Sequence, residues 1–108
     1  MTPKQVQTNN YCEAAYIDAK HLLMLATPLY TKKLRNCNAT VYAYETDLGV
    51  VFVLRSYNTI VAYVDENGMK YDFLRYVYGY TATSAQHIRK FFEDYGNTFT
   101  PAYTYKNS

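Results

Sequence analysis

Thr40-Val41-Tyr42-Ala43-Tyr44-Glu45-Thr46-Asp47-Leu48-Gly49-Val50-Val51-Phe52-Val53-Leu54-Arg55 consists of two β-branched and aromatic runs divided by a short break. Valine, tyrosine and phenylalanine suit a pleated, half-buried surface. The Thr46-Asp47-Leu48-Gly49 break supplies the Asp and Gly that a tight hairpin needs, because both tolerate positive φ. The pattern repeats downstream, where residues 59–65 and 69–76 read as strands on either side of Asp65-Glu66-Asn67-Gly68. Together with residues 40–45 and 50–55 they predict a four-stranded antiparallel meander. Val50-Val51-Phe52-Val53-Leu54 is apolar on both faces, so it belongs in a central strand covered by helix on at least one side. In the third strand Ile60, Ala62 and Val64 are expected on one face, and Thr59, Val61 and Tyr63 on the other.

Helices are expected on both flanks of this meander, giving an α+β fold. At the amino-terminal side a helix is expected over residues 11–26, with Asn10 as its N-cap, Glu13 at the third helical position and Pro28 ending it. Its apolar side would carry Ala15, Ile17, Leu22, Leu23 and Ala26, although the run 22–26 also suits a buried strand. Residues 1–10 are polar and are expected to be mobile, and Thr31-Lys32-Lys33-Leu34-Arg35-Asn36 reads as a basic, solvated connection. At the carboxyl side Thr83-Ser84-Ala85-Gln86 has the form of a capping box. Ile88, Phe91, Phe92 and Tyr95 follow at i, i+3, i+4 and i+7, so an amphipathic helix should pack on the sheet through them. Arg89, Lys90, Glu93 and Asp94 would then face solvent, and Gly96 would supply a left-handed stop. Residues 97–108 read as an edge strand or a loose tail.

With 108 residues the chain is expected to form one domain. Eleven Lys and Arg against nine Asp and Glu leave a net charge of +2, too small to point to nucleic acid through bulk electrostatics. No apolar run approaches the ~18 residues of a membrane span, and the polar start of the sequence does not read as a signal peptide. A cytoplasmic protein with free thiols at Cys12 and Cys37 is therefore expected, with a single disulfide between them as the less favoured alternative. Without a secretory route, the sequon Asn38-Ala39-Thr40 has no consequence.

Catalytic and metal chemistry find little support in the residue pattern. Cys12, His21, Cys37 and His87 are competent zinc ligands, but their spacing matches no compact site, and no metal or other cofactor is expected. The four glycines, at positions 49, 68, 79 and 96, are isolated, so no phosphate-binding loop is present. His87 lies near Tyr80, Thr83 and Ser84 at the start of the second helix, where a hydroxyl–imidazole pair could form. A histidine beside a helix cap more commonly serves structure, so the chain is read as a non-enzyme, with a small His87-dependent enzyme as the third alternative.

Two segments resemble a known pattern. Ser56-Tyr57-Asn58-Thr59-Ile60-Val61-Ala62 and Tyr80-Thr81-Ala82-Thr83-Ser84-Ala85-Gln86-His87-Ile88 resemble the paired motif of a small, poorly characterised family encoded by bacteriophages and mobile elements. In that family a Ser-Tyr-x-Thr-x-x-Ala strand precedes a Tyr-Ser-x-Thr-Thr-x-x-His helix start. Here Thr81 and Ser84 depart from it, and no Trp precedes the motif. The resemblance implies a phage or mobile-element origin and carries no established activity.

Fourteen tyrosines with no tryptophan are the strongest compositional signal. A ring with a polar tip serves a core edge, a protein interface or a base-stacking surface. Tyr42, Tyr44, Tyr63, Tyr71 and Tyr95 are assigned to the fold. The remaining candidates form a binding surface of Tyr57, Arg75, Tyr76, Tyr78, Tyr80, His87, Arg89 and Lys90, in which Tyr76, Tyr78 and Tyr80 would project together from one strand. The leading expectation is a small accessory protein that binds a host protein complex, in the manner of an anti-CRISPR inhibitor of host defence. A module for single-stranded DNA or RNA is the alternative, and open sheet edges leave room for a homodimer.

Overall fold

The computed structural model describes residues 2–79 and 81–106 as a helix, a six-stranded sheet and two further helices. In chain order these are α1 (Pro3–Leu25), β1 (Tyr30–Lys33), β2 (Ala39–Thr46), β3 (Gly49–Ser56), β4 (Thr59–Val64), β5 (Lys70–Asp72), α2 (Leu74–Val77), α3 (Ala82–Tyr95) and β6 (Ala102–Thr104). The strands lie in sequence order across the sheet, antiparallel from β1 to β5, with β6 parallel to β5. A parallel neighbour requires a crossover, and α2 and α3 occupy it. The α+β class and the flanking helices match the sequence reading, but the sheet has six strands rather than four.

The two added strands lie at the edges. The first half of the expected basic connection at 31–36 is instead part of strand β1, exposed at every position and paired with β2 from Tyr30↔Ala43 to Lys33↔Thr40. Lys32 and Lys33 on that edge discourage further strand addition, which explains why a strand can look like a solvated linker in sequence. Arg35, at φ 48°, turns the chain toward α3 and meets both Asp94 oxygens, at 2.8 and 2.6 Å, and Glu93 at 3.2 Å. Asp94 and Glu93 are therefore paired rather than merely solvated, and Arg35 holds the Asp94 carboxyl below its ordinary range. Within residues 97–108, expected as a loose tail or edge strand, Ala102–Thr104 is strand β6, and its Tyr103 pairs with Tyr71.

The sheet separates two cores. On one face α3 packs on Leu54, Ala62, Val64 and Val41 through Ile88 and Phe91. On the other, α1 packs Cys12, Ala15 and Ala19 against Tyr44, Val51, Val53 and Tyr63. Cys12 and Cys37 belong to opposite cores, and both thiols are free, so the disulfide alternative does not hold. Burial, with Asp72 nearby, pushes the Cys12 thiol up to about 12, an unreactive state.

The amino-terminal helix starts eight residues earlier than expected. Thr2, not Asn10, is the N-cap: its hydroxyl accepts from the Gln5 amide at 3.2 Å, and Pro3 occupies a first-turn position where no N–H is missed. Residues 3–10 are thus helical, and Asn9, 4 % exposed, holds the Lys106 backbone at both its N–H (3.0 Å) and its carbonyl (2.8 Å). Ile17, assigned to the apolar side, is 52 % exposed; small residues at 12, 15 and 19 make the contact instead.

β4 contains the register change that positions the rest. Leu54 pairs with Ala62 but Arg55 pairs with Ile60, leaving Val61 as the extra residue of a bulge. Ile60 therefore joins the α1 core while Ala62 and Val64 join the α3 core, which breaks the single-face assignment made from alternation alone. β5 ends at Asp72, short of the expected 76, because the Asp72 carboxylate accepts from the Leu74 amide at 2.9 Å and starts a helical turn. Before β5, Asp65 Oδ1 accepts from Asn67 and Met69, and Gly68 takes φ 80° with Asn97 so close that an added Cβ would sit 2.6 Å from the Asn97 Cβ.

α3 also begins earlier than the capping-box pattern indicates. Thr81 is the N-cap, its hydroxyl accepting from the Ser84 amide at 3.3 Å, so Thr83 lies inside the helix. Gly96 is extended (φ −80°) rather than left-handed; it is small because an added Cβ would lie 2.6 Å from the Lys70 stem and 2.7 Å from the Phe92 carbonyl oxygen. The stripe of Ile88, Phe91, Phe92 and Tyr95 packs as expected, with the Tyr95 ring 4.9 Å from Phe52. No helix among the described residues is long and apolar enough to cross a membrane.

Candidate functional site

Ser56 ends β3 and pairs with Thr59 across the β3–β4 turn, on the side of the sheet that α3 covers. The inner stripe of α3 contains Ser84 and His87 one turn apart, in line with Ile88 and Phe91. The Ser56 hydroxyl consequently lies 3.2 Å from the Ser84 hydroxyl and 3.0 Å from His87 Nδ1. All three side chains are buried, and among the described residues no buried side-chain nitrogen or oxygen lacks a partner. A hydroxyl can donate or accept, so Ser56 suits either imidazole tautomer.

This cluster resembles a nucleophile–base pair in composition but not in access. Ser56 has no exposed surface for a substrate to approach, and among the described residues no carboxylate orients the imidazole. What the contact does is tie the helix to the end of the strand. Burial, and then the Lys90 charge, lower the His87 pKa below its ordinary 6.5, which favours the neutral ring. The unfolded chain takes up that proton at higher pH than the folded one, so the contribution is complete above about 6.5 and is lost as pH falls below it. The loss of urea stability between pH 7.5 and 5.5 is therefore expected to be smaller in His87→Gln than in the natural chain; equal losses would show that His87 is not the group responsible. Asp72, raised by burial, acts with the opposite sign, from the ordinary carboxylate value upward.

Tyr57 lies directly beyond this cluster. It adopts φ 54°, a left-handed conformation that costs a residue with a side chain about 1–2 kcal/mol. The turn imposes it, with the Tyr57 amide donating to the Asn38 carbonyl at 3.0 Å. The ring stands 57 % exposed, 6.2 Å from the His87 ring. Tyr78, 48 % exposed, donates its hydroxyl to Thr59. Tyr57 and Tyr78, with Thr81, Thr83 and Ser84, enclose a hollow of about 280 Å³. The two segments quoted for the motif resemblance thus meet here, one supplying Ser56, Tyr57 and Thr59, the other Thr81, Ser84 and His87.

The remaining predicted binding residues are dispersed. Tyr76 is on α2, not on a strand, and packs on Tyr16 (5.3 Å between ring centres) and Tyr105 (4.9 Å) on the α1 side. The expected strand ladder of Tyr76, Tyr78 and Tyr80 therefore does not form, and Tyr80 itself lies outside the described residues. Arg75 is exposed on α2. Arg89 approaches Glu93 at 4.0 Å, and the half-buried Lys90 donates to the Cys37 sulfur at 3.5 Å rather than standing free. His87 is 5 % exposed, so it supports the surface from beneath instead of forming it. Among the described residues no three His, Cys, Asp or Glu side chains gather as a metal site. The sequence places Ser84 beside His87 as a possible hydroxyl partner, but it gives no signal for Ser56, which reaches the imidazole from 31 positions away on β3. No family model matches this chain, and no curated protein or solved structure matches it either.

Proposed function

We propose that the chain acts by binding a protein partner, with Tyr57 and Tyr78 as the anchoring side chains. The observation that supports this is a pair of exposed aromatic rings bordering one hydroxyl-lined hollow. Tyr57 projects from a turn of defined backbone and Tyr78 is held by its bond to Thr59, so part of the conformational freedom is already spent before association. Rings of this kind, with a hydroxyl at the rim, are frequent hot spots at protein interfaces. A single-strand-binding surface calls for a row of stacked aromatics flanked by free cations. Here Tyr76 is turned to the other side, and Lys90 is engaged by the Cys37 sulfur.

The motif resemblance implies a phage or mobile-element origin, and by analogy with small proteins of that origin the partner proposed is a host complex, as for an inhibitor of host defence. Affinity capture from host lysate, followed by titration of the captured protein, tests both parts. Tyr57→Ala and Tyr78→Ala are each expected to weaken binding about tenfold or more with unchanged thermal unfolding. Unaltered affinity in both variants would sink the assignment of the surface. Failure to capture any protein, together with tight and steeply salt-dependent binding of single-stranded DNA or RNA, would replace the reading with its alternative.

A further inference from the structure

At the opposite end of β3 from Tyr57 lies a second and larger hollow, of about 720 Å³. Its apolar rim comes from two separate elements: Leu22 and Leu25 near the end of α1, and Leu48 in the β2–β3 turn. Tyr63, only 6 % exposed, lies at its base. Leu25 and Leu48 are 81 % and 78 % exposed. Isolated surface leucines are ordinary, but two that border one concavity form a shared apolar surface that water covers unfavourably.

The charge around this hollow has one sign. Asp18, Asp47 and Glu66 line it, and among the described residues no lysine or arginine does; His21, exposed on α1, is the nearest basic type in the lining. None of the three carboxylates takes part in an ion pair among the described residues, whose ion pairs lie on Arg35, Arg89, Glu93 and Asp94. The negative field is felt at the base, where the Tyr63 phenol is raised by burial and then by Glu66, Asp18 and Asp65. In a chain whose net charge is +2, this is a local concentration of acid. Phosphate-bearing ligands and anionic membranes are repelled by such a rim, whereas cations are drawn to it.

We infer that this hollow docks a basic amphipathic segment of a partner protein, seating large aliphatic side chains between Leu25 and Leu48 and placing lysine or arginine side chains against Asp18, Asp47 and Glu66. A concavity of this size accepts only a few side chains, so the segment is short, and specificity comes from alternation of apolar and basic positions. The surface is separate from the tyrosine pair and does not depend on it.

Fluorescence anisotropy with a short labelled peptide of leucine and lysine at helical spacing tests the inference on the full chain. The natural chain is expected to bind it, with affinity falling as salt is added. Leu48→Ala, a change on an exposed turn, is expected to weaken binding about tenfold, and Asp47→Asn combined with Glu66→Gln to weaken it similarly while flattening the salt dependence. Peptides of leucine with glutamate, or of glycine with lysine, are expected not to bind. The inference is overturned if the leucine–lysine peptide does not bind, if either variant binds as the natural chain does, or if the glycine–lysine peptide binds equally well. It is also overturned if sedimentation shows a dimer that Leu48→Ala dissociates, since a second copy would then be the occupant.

Discussion

Phe91→Ala is expected to lower the free energy of unfolding by about 3–5 kcal/mol, the largest loss from any single truncation considered for this chain. Phe91 has no exposed surface and lies in the core between α3 and the sheet, with Leu54, Ala62, Val64 and Ile88. Its ring also contacts Phe92 and Tyr95, at 5.8 and 5.5 Å between centres. Removing it leaves a cavity that a single covering helix cannot close without abandoning its other contacts. Domains of this size are stable by about 5–15 kcal/mol, so the variant should retain only a part of its fold at 37 °C. Urea unfolding followed by circular dichroism measures the change, and Phe91→Leu, which keeps most of the volume, should cost far less. A loss under about 1 kcal/mol for Phe91→Ala would mean that α3 does not pack as described.

Ser56→Ala ranks second. The lost hydroxyl is the common partner of the Ser84 oxygen and His87 Nδ1, and both would remain buried with that contact gone. At the lower end of the usual range each stranded polar group costs about 1–2 kcal/mol, so a total near 2–4 kcal/mol is expected. The asymmetry of hydrogen bonding supplies a sharper check. Replacing the whole cluster, Ser56→Ala with Ser84→Ala and His87→Leu, removes the stranded groups and should recover much of that loss. If the triple variant were instead the least stable of the series, the cluster would contribute more than its own hydrogen bonds.

Much of the middle of the fold could be read directly from residue type. β2, β3 and the start of β4 follow from β-branched and aromatic runs with Asp- and Gly-bearing turns, and the α3 stripe follows from Ile88, Phe91, Phe92 and Tyr95. Structure departs from residue type where a cap, a turn or cross-strand pairing outranks local composition. Thr2-Pro3-Lys4-Gln5 contains a hydroxyl cap, a first-turn proline and a Gln three residues later, yet the polarity of residues 3–10 suggested disorder; Asn9 is polar because it grips the chain near Lys106. Residues 73–76 have strand-like composition, but Asp72 can start a turn and the apolar Phe73 gains more by entering the α1 core. The Val61 bulge changes strand parity without any distinctive residue, because it is fixed by pairing with β3 rather than by β4 alone.

The candidate site was legible in part for the same reason. Tyr57 and Tyr78 were identified as surface residues, since exposed aromatics near turns can be suggested from composition and local pattern. Their separation from Tyr76 could not, because a ladder presumes a continuous strand through Asp72. The Ser56–Ser84–His87 contact joins two elements, and no spacing rule along one chain reports which strand end faces which helical turn. The quoted motif segments carried the correct residues without showing that they meet.

The grip of Asn9 on Lys106 sets the order in which the molecule can be completed. The contact spans 97 positions, and the strand beside it, β6, needs β5 already in place. Cys12, Ala15 and Ala19 of α1 find their cover on β2–β4, but the Asn9 end of the helix must wait for nearly the whole described chain before it meets its partner. Closing so long a loop carries a large entropic cost that only the finished sheet offsets. The hairpins of β2, β3 and β4 have local contacts, whereas the joining of α1 to the segment after β6 is the contact of longest reach described, so it depends on the rest of the sheet far more than they do.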